Sequence, residues 1–232
     1  MQAVVLAGGL ASRLGARSAH IPKSLLPIAG KPFVDWQLAT LARAGFSRVL
    51  LCIGHLGEQI RAYCGSGARW QLALEYAEDG PRLLGTAGAL RRALTLLDPE
   101  FLVTYGDSYL PFDYSAPLRD LRAHPEADGV MSVFKNDGAW DKSNTEVAAE
   151  RVLRYEKNGA DARLDHIDYG AVALRRKVIE ALEPNVPLGL DQVQHELARS
   201  GTLRAYLAPE RFYEIGSELG IAELERKLSE PR

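Results

Sequence analysis

One alternation limits the fold of this chain more than any other feature. Short apolar runs that end in glycine or aspartate are separated by longer segments of helical period, which is the pattern of successive parallel βαβ units. Runs 3–6, 49–53, 73–76, 101–105 and 130–134 read as strands. A helix is expected from Pro32, where proline suits a first helical turn, through Val34, Leu38 and Leu41 to a stop at Ala44-Gly45. Further helices are expected over 58–63, 87–97 and 117–123. After Lys135 the texture changes: the polar stretch NDGAWDKSN precedes alternating segments at 146–152 and 166–174, read as mixed or antiparallel strands. Helices return at 190–199 and 218–228, with a strand at 203–207 between them. The pattern predicts one α/β domain over 1–232, with halves 1–134 and 135–232 and no repeat or appended β-helix.

Composition narrows the partners. The 28 basic residues against 30 acidic ones leave a formal charge of −2, so the dense positive field that nucleic-acid binding needs is missing. No apolar run approaches the ~20 residues of a membrane helix, and the first strand starts at once with no signal-peptide pattern; a cytoplasmic protein is expected. Cys52 and Cys64 have no CxxC or Cys/His company and read as free core thiols of a reducing compartment.

The first strand runs into LAGGLASRLG. Its glycine pair lets backbone amides approach an anionic or planar ligand without Cβ obstruction, so Leu6, Ala7, Gly8 and Gly9 form a candidate nucleotide cradle. The spacing fits neither GxGxxG nor GxxxxGK[ST], which weakens hydride-transfer and Walker-type ATPase readings. A tight strand-to-helix turn remains the alternative for Gly8-Gly9 alone.

Over about 30 positions, LAGGLASRLGARSAHIPKSLLPIAGKPF resembles the sugar-1-phosphate nucleotidyltransferase family, whose signature pairs an LAGG loop and an arginine with a PK-x-LLP-x-x-GKP segment. The resemblance implies a Rossmann-like, mostly parallel mixed sheet flanked by helices, of the nucleotide-diphospho-sugar transferase type. The first half would bind nucleotide, and a small acceptor-binding lobe would lie in the second. It gives Arg13 and Lys23 the grip on the triphosphate, whose charge rises as pyrophosphate departs. Ala11 stands where many relatives carry glycine, which would shift the loop's shape mildly.

The resemblance assigns the other candidates too. In LLGTAGAL, Gly85, Thr86 and Gly88 would border base and sugar; alternatively Thr86 caps a helix. YGDSY puts Asp107 at the carboxyl edge of a strand, where a carboxylate suits Mg²⁺ (or Mn²⁺). FYEIGSELG matches the family's second metal segment, with Glu214 where aspartate is usual. RYEKN gives Glu156 and Lys157 to sugar hydroxyls and acceptor phosphate, or leaves them as a solvated hairpin charge pair. In IDYGAVAL, Gly170 would let the sugar approach the backbone, and Tyr169 would stack on the ring or pack. The DKSN segment, with Asp141, Lys142 and Asn144, is polar enough to line the acceptor pocket.

The implied reaction moves a nucleoside monophosphate from a nucleoside triphosphate onto a sugar 1-phosphate. The heptose-1-phosphate guanylyltransferases and N-acetylmuramate-1-phosphate uridylyltransferases are compact relatives of similar length. The first group is the favoured comparison, with GTP, a heptose or hexose 1-phosphate and cell-surface polysaccharide supply. A cytidylyltransferase for a phospho-alcohol such as phosphocholine stays open, as does a non-catalytic nucleotide-sugar sensor. Molybdopterin guanylyltransferases keep a shorter arginine-to-lysine gap than the ten residues from Arg13 to Lys23. A homo-oligomer is compatible with everything above.

Overall fold

The computed structural model describes residues 1–9, 20–80, 82–136, 138–140, 142–159 and 161–230. From the amino terminus, β1 (Gln2–Ala7) precedes a small hairpin of β2 (Pro27–Ile28) and β3 (Lys31–Pro32), then α1 (Phe33–Arg43), β4 (Arg48–Ile53), α2 (Gly57–Cys64) and β5 (Ala73–Glu78). Next come α3 (Gly85–Arg92), β6 (Glu100–Tyr105), β7 (Ser108–Tyr109), α4 (Ala116–Ala123) and β8 (Gly129–Lys135). The chain continues through β9 (Thr145–Ala148), β10 (Arg151–Tyr155), β11 (His166–Arg175), α5 (Arg176–Glu180), α6 (Leu190–Arg199), β12 (Leu203–Leu207), β13 (Tyr213–Glu214) and α7 (Glu218–Ser229). It divides into two compact units, one of Met1–Arg82, Thr104–Leu110 and Phe212–Arg232, the other of Leu83–Val103 and Pro111–Arg211.

In the first unit β1, β4 and β5 run parallel in the order β5-β4-β1, paired from Gln2 opposite Arg48 to Ala7 opposite Ile53, and from Arg48 opposite Ala73 to Ile53 opposite Glu78. The middle strand RVLLCI is buried from Val49 to Ile53, as a strand covered on both faces must be. The outer strand ALEYAE is half exposed and carries charge, which guards an edge. Beside them Leu26, Ile28, Phe33, Tyr109, Ile215, Ile221 and Leu224 form one buried cluster. Fully burying each aliphatic or aromatic side chain there stabilises by about 1.5–3 kcal/mol, so the cluster fastens the β2–β3 hairpin and α7 in place.

The second unit orders its strands β11-β8-β12-β10-β9; β8 and β12 are parallel, the other pairs antiparallel, and His166 of β11 also pairs with Thr145 of β9. The chain is therefore mixed α/β, as the alternation predicts. Two details differ from expectation. Segment 146–152 is a tight hairpin, turned by Ala149 (φ 48°) and Glu150 (φ 58°). Two left-handed residues make such a turn, but Asn-Gly is absent, so its usual signal is missing. The helix expected over 87–97 starts at Gly85, ends at Arg92 and passes into a 3₁₀ turn at Leu94–Leu96.

Cys52 and Cys64 are buried free thiols, and burial pushes both up to about 12. Among the described residues no helix is long and apolar enough to cross a membrane.

Candidate active site

The nucleotide-side candidates of the first unit gather at the carboxyl ends of its strands. Leu6 and Ala7 end β1, and the Leu6 carbonyl accepts the Gly106 N–H at 2.9 Å. Gly106 has to be glycine: a Cβ there would lie 2.9 Å from the Ala7 Cβ and 3.1 Å from its Cα. The turn that carries Asp107 is thus stitched to the residues just before Gly8. A Cβ on Gly8 would fall 2.2 Å from a carboxylate oxygen of Asp79, the residue that follows β5. On Gly54, which follows β4, it would fall 2.7 Å from the same oxygen and 2.8 Å from the Gly8 carbonyl. A Cβ on Gly9 would meet no atom of the described residues within 4 Å. The ends of β1, β4 and β5 therefore meet at Gly8, the usual ligand position of an open parallel sheet.

Lys23 opens a 3₁₀ turn, Lys23–Leu25, behind Pro22, whose extended backbone (φ −64°, ψ 145°) sets the entry. The Leu26 N–H donates to the Lys23 carbonyl and the Phe33 N–H to the Leu26 carbonyl. Ala29 (φ 47°) and Gly30 (φ 82°) reverse the chain so that Leu26, Ile28 and Phe33 all reach the buried cluster. The LLPIAGKPF stretch is thus a clamp, and what it holds in place is Lys23. Its Nζ donates to Asp107 Oδ2 at 3.1 Å, with the two side chains 20% and 34% exposed. A pair this exposed is worth about 1 kcal/mol or less, so the convergence is poorly explained by stability.

Asp107 is fixed from a second side. Its carbonyl accepts the Ile215 N–H at 3.0 Å, and β13 pairs antiparallel with β7, setting Glu214 opposite Ser108. The backbones of both candidate metal carboxylates thus share one two-stranded ribbon. Ile215 is fully buried and locks it to the core, while Glu214 is exposed. Among the described residues no group of three or more His, Cys, Asp or Glu could hold a metal. The carboxylates of Asp107 and Glu214 are hard oxygen donors, the type that Mg²⁺ takes in small number while phosphate and water fill its other positions. Arg13, Ala11 and Asp141 lie outside the described residues. His20 is exposed, and its carbonyl accepts from Gln59 Nε2.

In the second unit the GTAG segment opens α3. Gly85 (φ 70°) would set a Cβ 2.6 Å from the Leu188 carbonyl oxygen, and Gly88 one 2.6 Å from the Leu84 Cβ and 3.2 Å from the Val186 carbonyl oxygen. The Ala87 and Gly88 N–H groups both donate to the Leu188 carbonyl. Thr86 Oγ1 accepts the Leu190 N–H at 2.7 Å, so Thr86 serves the first turn of α6 instead of capping its own helix. The need for small residues here arises inside the protein, from close packing on 186–190.

The acceptor-side candidates surround a bulge in β11, whose register against β8 shifts between Asp168 and Val172. Gly170 (φ 82°) forms the bulge. Tyr169 is 1% exposed and meets Phe112 edge-on at 5.2 Å, so its ring packs in the core. Asn144 Oδ1 accepts from Thr145 Oγ1 at 2.9 Å and from the Asp168 N–H at 2.8 Å. Glu156 Oε1 accepts from Arg154 at 2.6 Å, and Lys157 Nζ lies 3.4 Å from Asp191 Oδ1. Both Glu156 and Lys157 line a cavity of about 350 Å³ together with Tyr155, Asp191 and His195.

Three groups that sequence reading missed help build these sites. Asp168 accepts from Gly170 N–H (2.9 Å), Tyr155 OH (3.1 Å) and Gln194 Nε2 (3.5 Å), and desolvation raises its carboxyl above the ordinary value. Its signal was present, since an aspartate two residues before a bulge glycine readily bonds that glycine's N–H. Asp79 and Gln37 had no such local signal.

The first unit, a parallel sheet whose strand ends meet at Gly8, makes this an open-sheet α/β protein. The chain belongs to the MobA-like NTP transferase domain family, whose model matches residues 3–201. It is similar to an N-acetylmuramate alpha-1-phosphate uridylyltransferase of Neisseria meningitidis serogroup B, 35% identical over 127 residues, 54% of this chain and 55% of that protein. It is also similar to a CMP-5'-(3-aminopropyl)phosphonate synthase of Streptomyces rubellomurinus, 37% identical over 133 residues, 57% of this chain and 20% of that one. The chain thus spans about half the length of the first relative and a fifth of the second. Its fold matches that of HddC from Yersinia pseudotuberculosis, solved in complex with GMP-PN, with TM-score 0.81, 23% identity and 98% and 99% of the two chains covered.

Proposed function

We propose that the protein is a nucleotidyltransferase that moves a nucleoside monophosphate from a nucleoside triphosphate to a sugar 1-phosphate. An acceptor phosphate oxygen attacks the α-phosphorus in line, the bond from that phosphorus to the bridging oxygen breaks, and pyrophosphate leaves with that oxygen. The observation that carries the reading is the Lys23–Asp107 pair at 3.1 Å, on a turn tied to the end of β1 beside Gly8. Family membership supports it.

In this reading Lys23 and Arg13 hold the triphosphate and offset the charge that grows on the departing pyrophosphate. Asp107 and Glu214 would hold Mg²⁺ (or Mn²⁺), which would supply Lewis-acid neutralisation of the phosphate charge. Leu6, Ala7, Gly8 and Gly9 meet the nucleotide through their backbone, with Gly85, Thr86 and Gly88 bordering base and sugar. Glu156, Lys157, Asn144, Tyr169 and Gly170 form the acceptor side, with Tyr169 acting through packing. No covalent protein nucleophile is required. A heptose or hexose 1-phosphate with GTP is the first pairing to try, consistent with a cytoplasmic enzyme supplying nucleotide sugars for cell-surface polysaccharide. The 37% identity to a CMP-phosphonate synthase supports a second reading, cytidylyl transfer to a phospho-alcohol such as phosphocholine or to a phosphonate.

A matrix of GTP, UTP, CTP, ATP and dTTP against heptose and hexose 1-phosphates, phosphocholine and aminoalkylphosphonates, with pyrophosphate detection, separates these readings. Turnover only with CTP and the phosphocholine or phosphonate acceptors selects the second. Nucleotide binding without pyrophosphate release from any pair identifies a sensor.

A further inference from the structure

Gln37 lies on α1 and is 1% exposed, and no role has been given to it so far. Its Nε2 donates to the Tyr105 carbonyl at 2.7 Å and to the Ser108 carbonyl at 3.3 Å. Those carbonyls stand on either side of the Gly106-Asp107 turn, so a single amide spans the turn that presents Asp107. The other contacts complete a cage: Gly106 N–H to Leu6, Ile215 N–H to the Asp107 carbonyl, and Lys23 Nζ to the Asp107 carboxylate. The amide oxygen of Gln37 is buried with no hydrogen-bond partner among the described residues. An unpaired buried acceptor is unfavourable, and an apolar side chain of similar volume would avoid it. Glutamine's advantage here lies in its two N–H groups, both aimed at the backbone around Asp107.

We propose that Gln37 is a positioning residue for Asp107, holding the turn so that the carboxylate meets the divalent ion and triphosphate in a fixed direction. The inference rests on the nucleotidyl-transfer reading, in which Asp107 is a metal ligand. Groups behind a metal's ligands fix ligand orientation, and losing one typically lowers metal affinity or activity by roughly 10- to 100-fold.

The test compares the full chain with Gln37→Met, Gln37→Asn and Asp107→Asn. Mn²⁺ binding is read by electron paramagnetic resonance with the α,β-methylene analogue of whichever triphosphate supports turnover, alongside kcat, KM and thermal unfolding. Gln37→Met keeps volume and removes the donors; Gln37→Asn keeps the donors but shortens their reach. Both are expected to unfold near the parent temperature, weaken Mn²⁺ binding and lower kcat by roughly 10-fold or more, and leave KM for the acceptor unchanged. Should Gln37→Met fail to fold, Gln37→Asn gives the same reading. Parent-like Mn²⁺ affinity and kcat in a folded Gln37 variant, with Asp107→Asn impaired, overturn the role of Gln37 alone. Parent-like behaviour of Asp107→Asn overturns the metal reading of Asp107 and this inference with it.

Discussion

Lys23 and Asp107 stand 84 residues apart in the chain and 3.1 Å apart in space, one on a 3₁₀ turn held by Leu26 and Ile28, the other on a turn held by β1 and β13. Asp107→Asn keeps the shape and a hydrogen-bond acceptor but removes the charge. It is expected to lower kcat by about 10³-fold, the scale of losing a pre-set electrostatic group, while changing stability by about 1 kcal/mol or less. Steady-state pyrophosphate release and thermal melts decide it; near-parent turnover removes Asp107 from the chemistry. Lys23→Arg should not restore a Lys23→Ala loss in full, because a planar fork cannot replace a compact ammonium at a fixed site.

Gly9 and Gly54 should respond oppositely to alanine. Gly9→Ala meets no atom of the described residues within 4 Å, so its melting temperature is expected to stay within about 2 °C of the parent while nucleotide affinity falls. Gly54→Ala places a methyl 2.8 Å from the Gly8 carbonyl and is expected to lose about 1–3 kcal/mol through overpacking. Urea unfolding with nucleotide titration on both variants provides the comparison, and a stable Gly54→Ala protein with parent affinity contradicts the strand-end cradle.

Lys157 pairs with Asp191 at 3.4 Å and is 63% exposed, so its ion pair adds little to stability. Lys157→Ala should therefore melt like the parent and raise KM for the acceptor by roughly 10-fold or more, with KM for the triphosphate unchanged, as loss of a charged acceptor contact requires. Equal changes in both KM values argue against a place on the acceptor side.

The thiols give a pH prediction. Burial raises both cysteines from 9.0 to about 12 in the folded chain, so the unfolded chain ionises first as pH rises. Their contribution is complete below pH 9 and is lost between about 9 and 12, with a slope that reaches two protons. Urea midpoints measured from pH 7 to 10.5 should fall above pH 9, and a Cys52→Ala, Cys64→Ala double variant should lose less of its own stability over that range. At pH 8 neither thiol should react with a disulfide reagent until the chain unfolds.

Much was legible without coordinates. The spacing of Val34, Leu38 and Leu41 marks the buried stripe of α1, and continuous apolar runs mark strands covered on both faces, because burial periodicity is a local property of the chain. The LAGG, PKSLLP and YGDSY segments pointed to Gly8, Lys23 and Asp107 through their resemblance to a family signature, since each proposed role needs a particular chemical group at one place. The sequence could not say that Gly85 and Gly88 are small because 186–190 lies against them, or that the Tyr169 ring turns into the core. Nor could it show that Asp79 overlies Gly8 or that Gln37 spans the Asp107 turn. Those facts depend on contacts between segments tens of residues apart, and such contacts exist only after burial of the apolar faces has brought distant backbone together. Residue type and local period determined the elements and the chemical groups; tertiary packing alone decided which group each one faces.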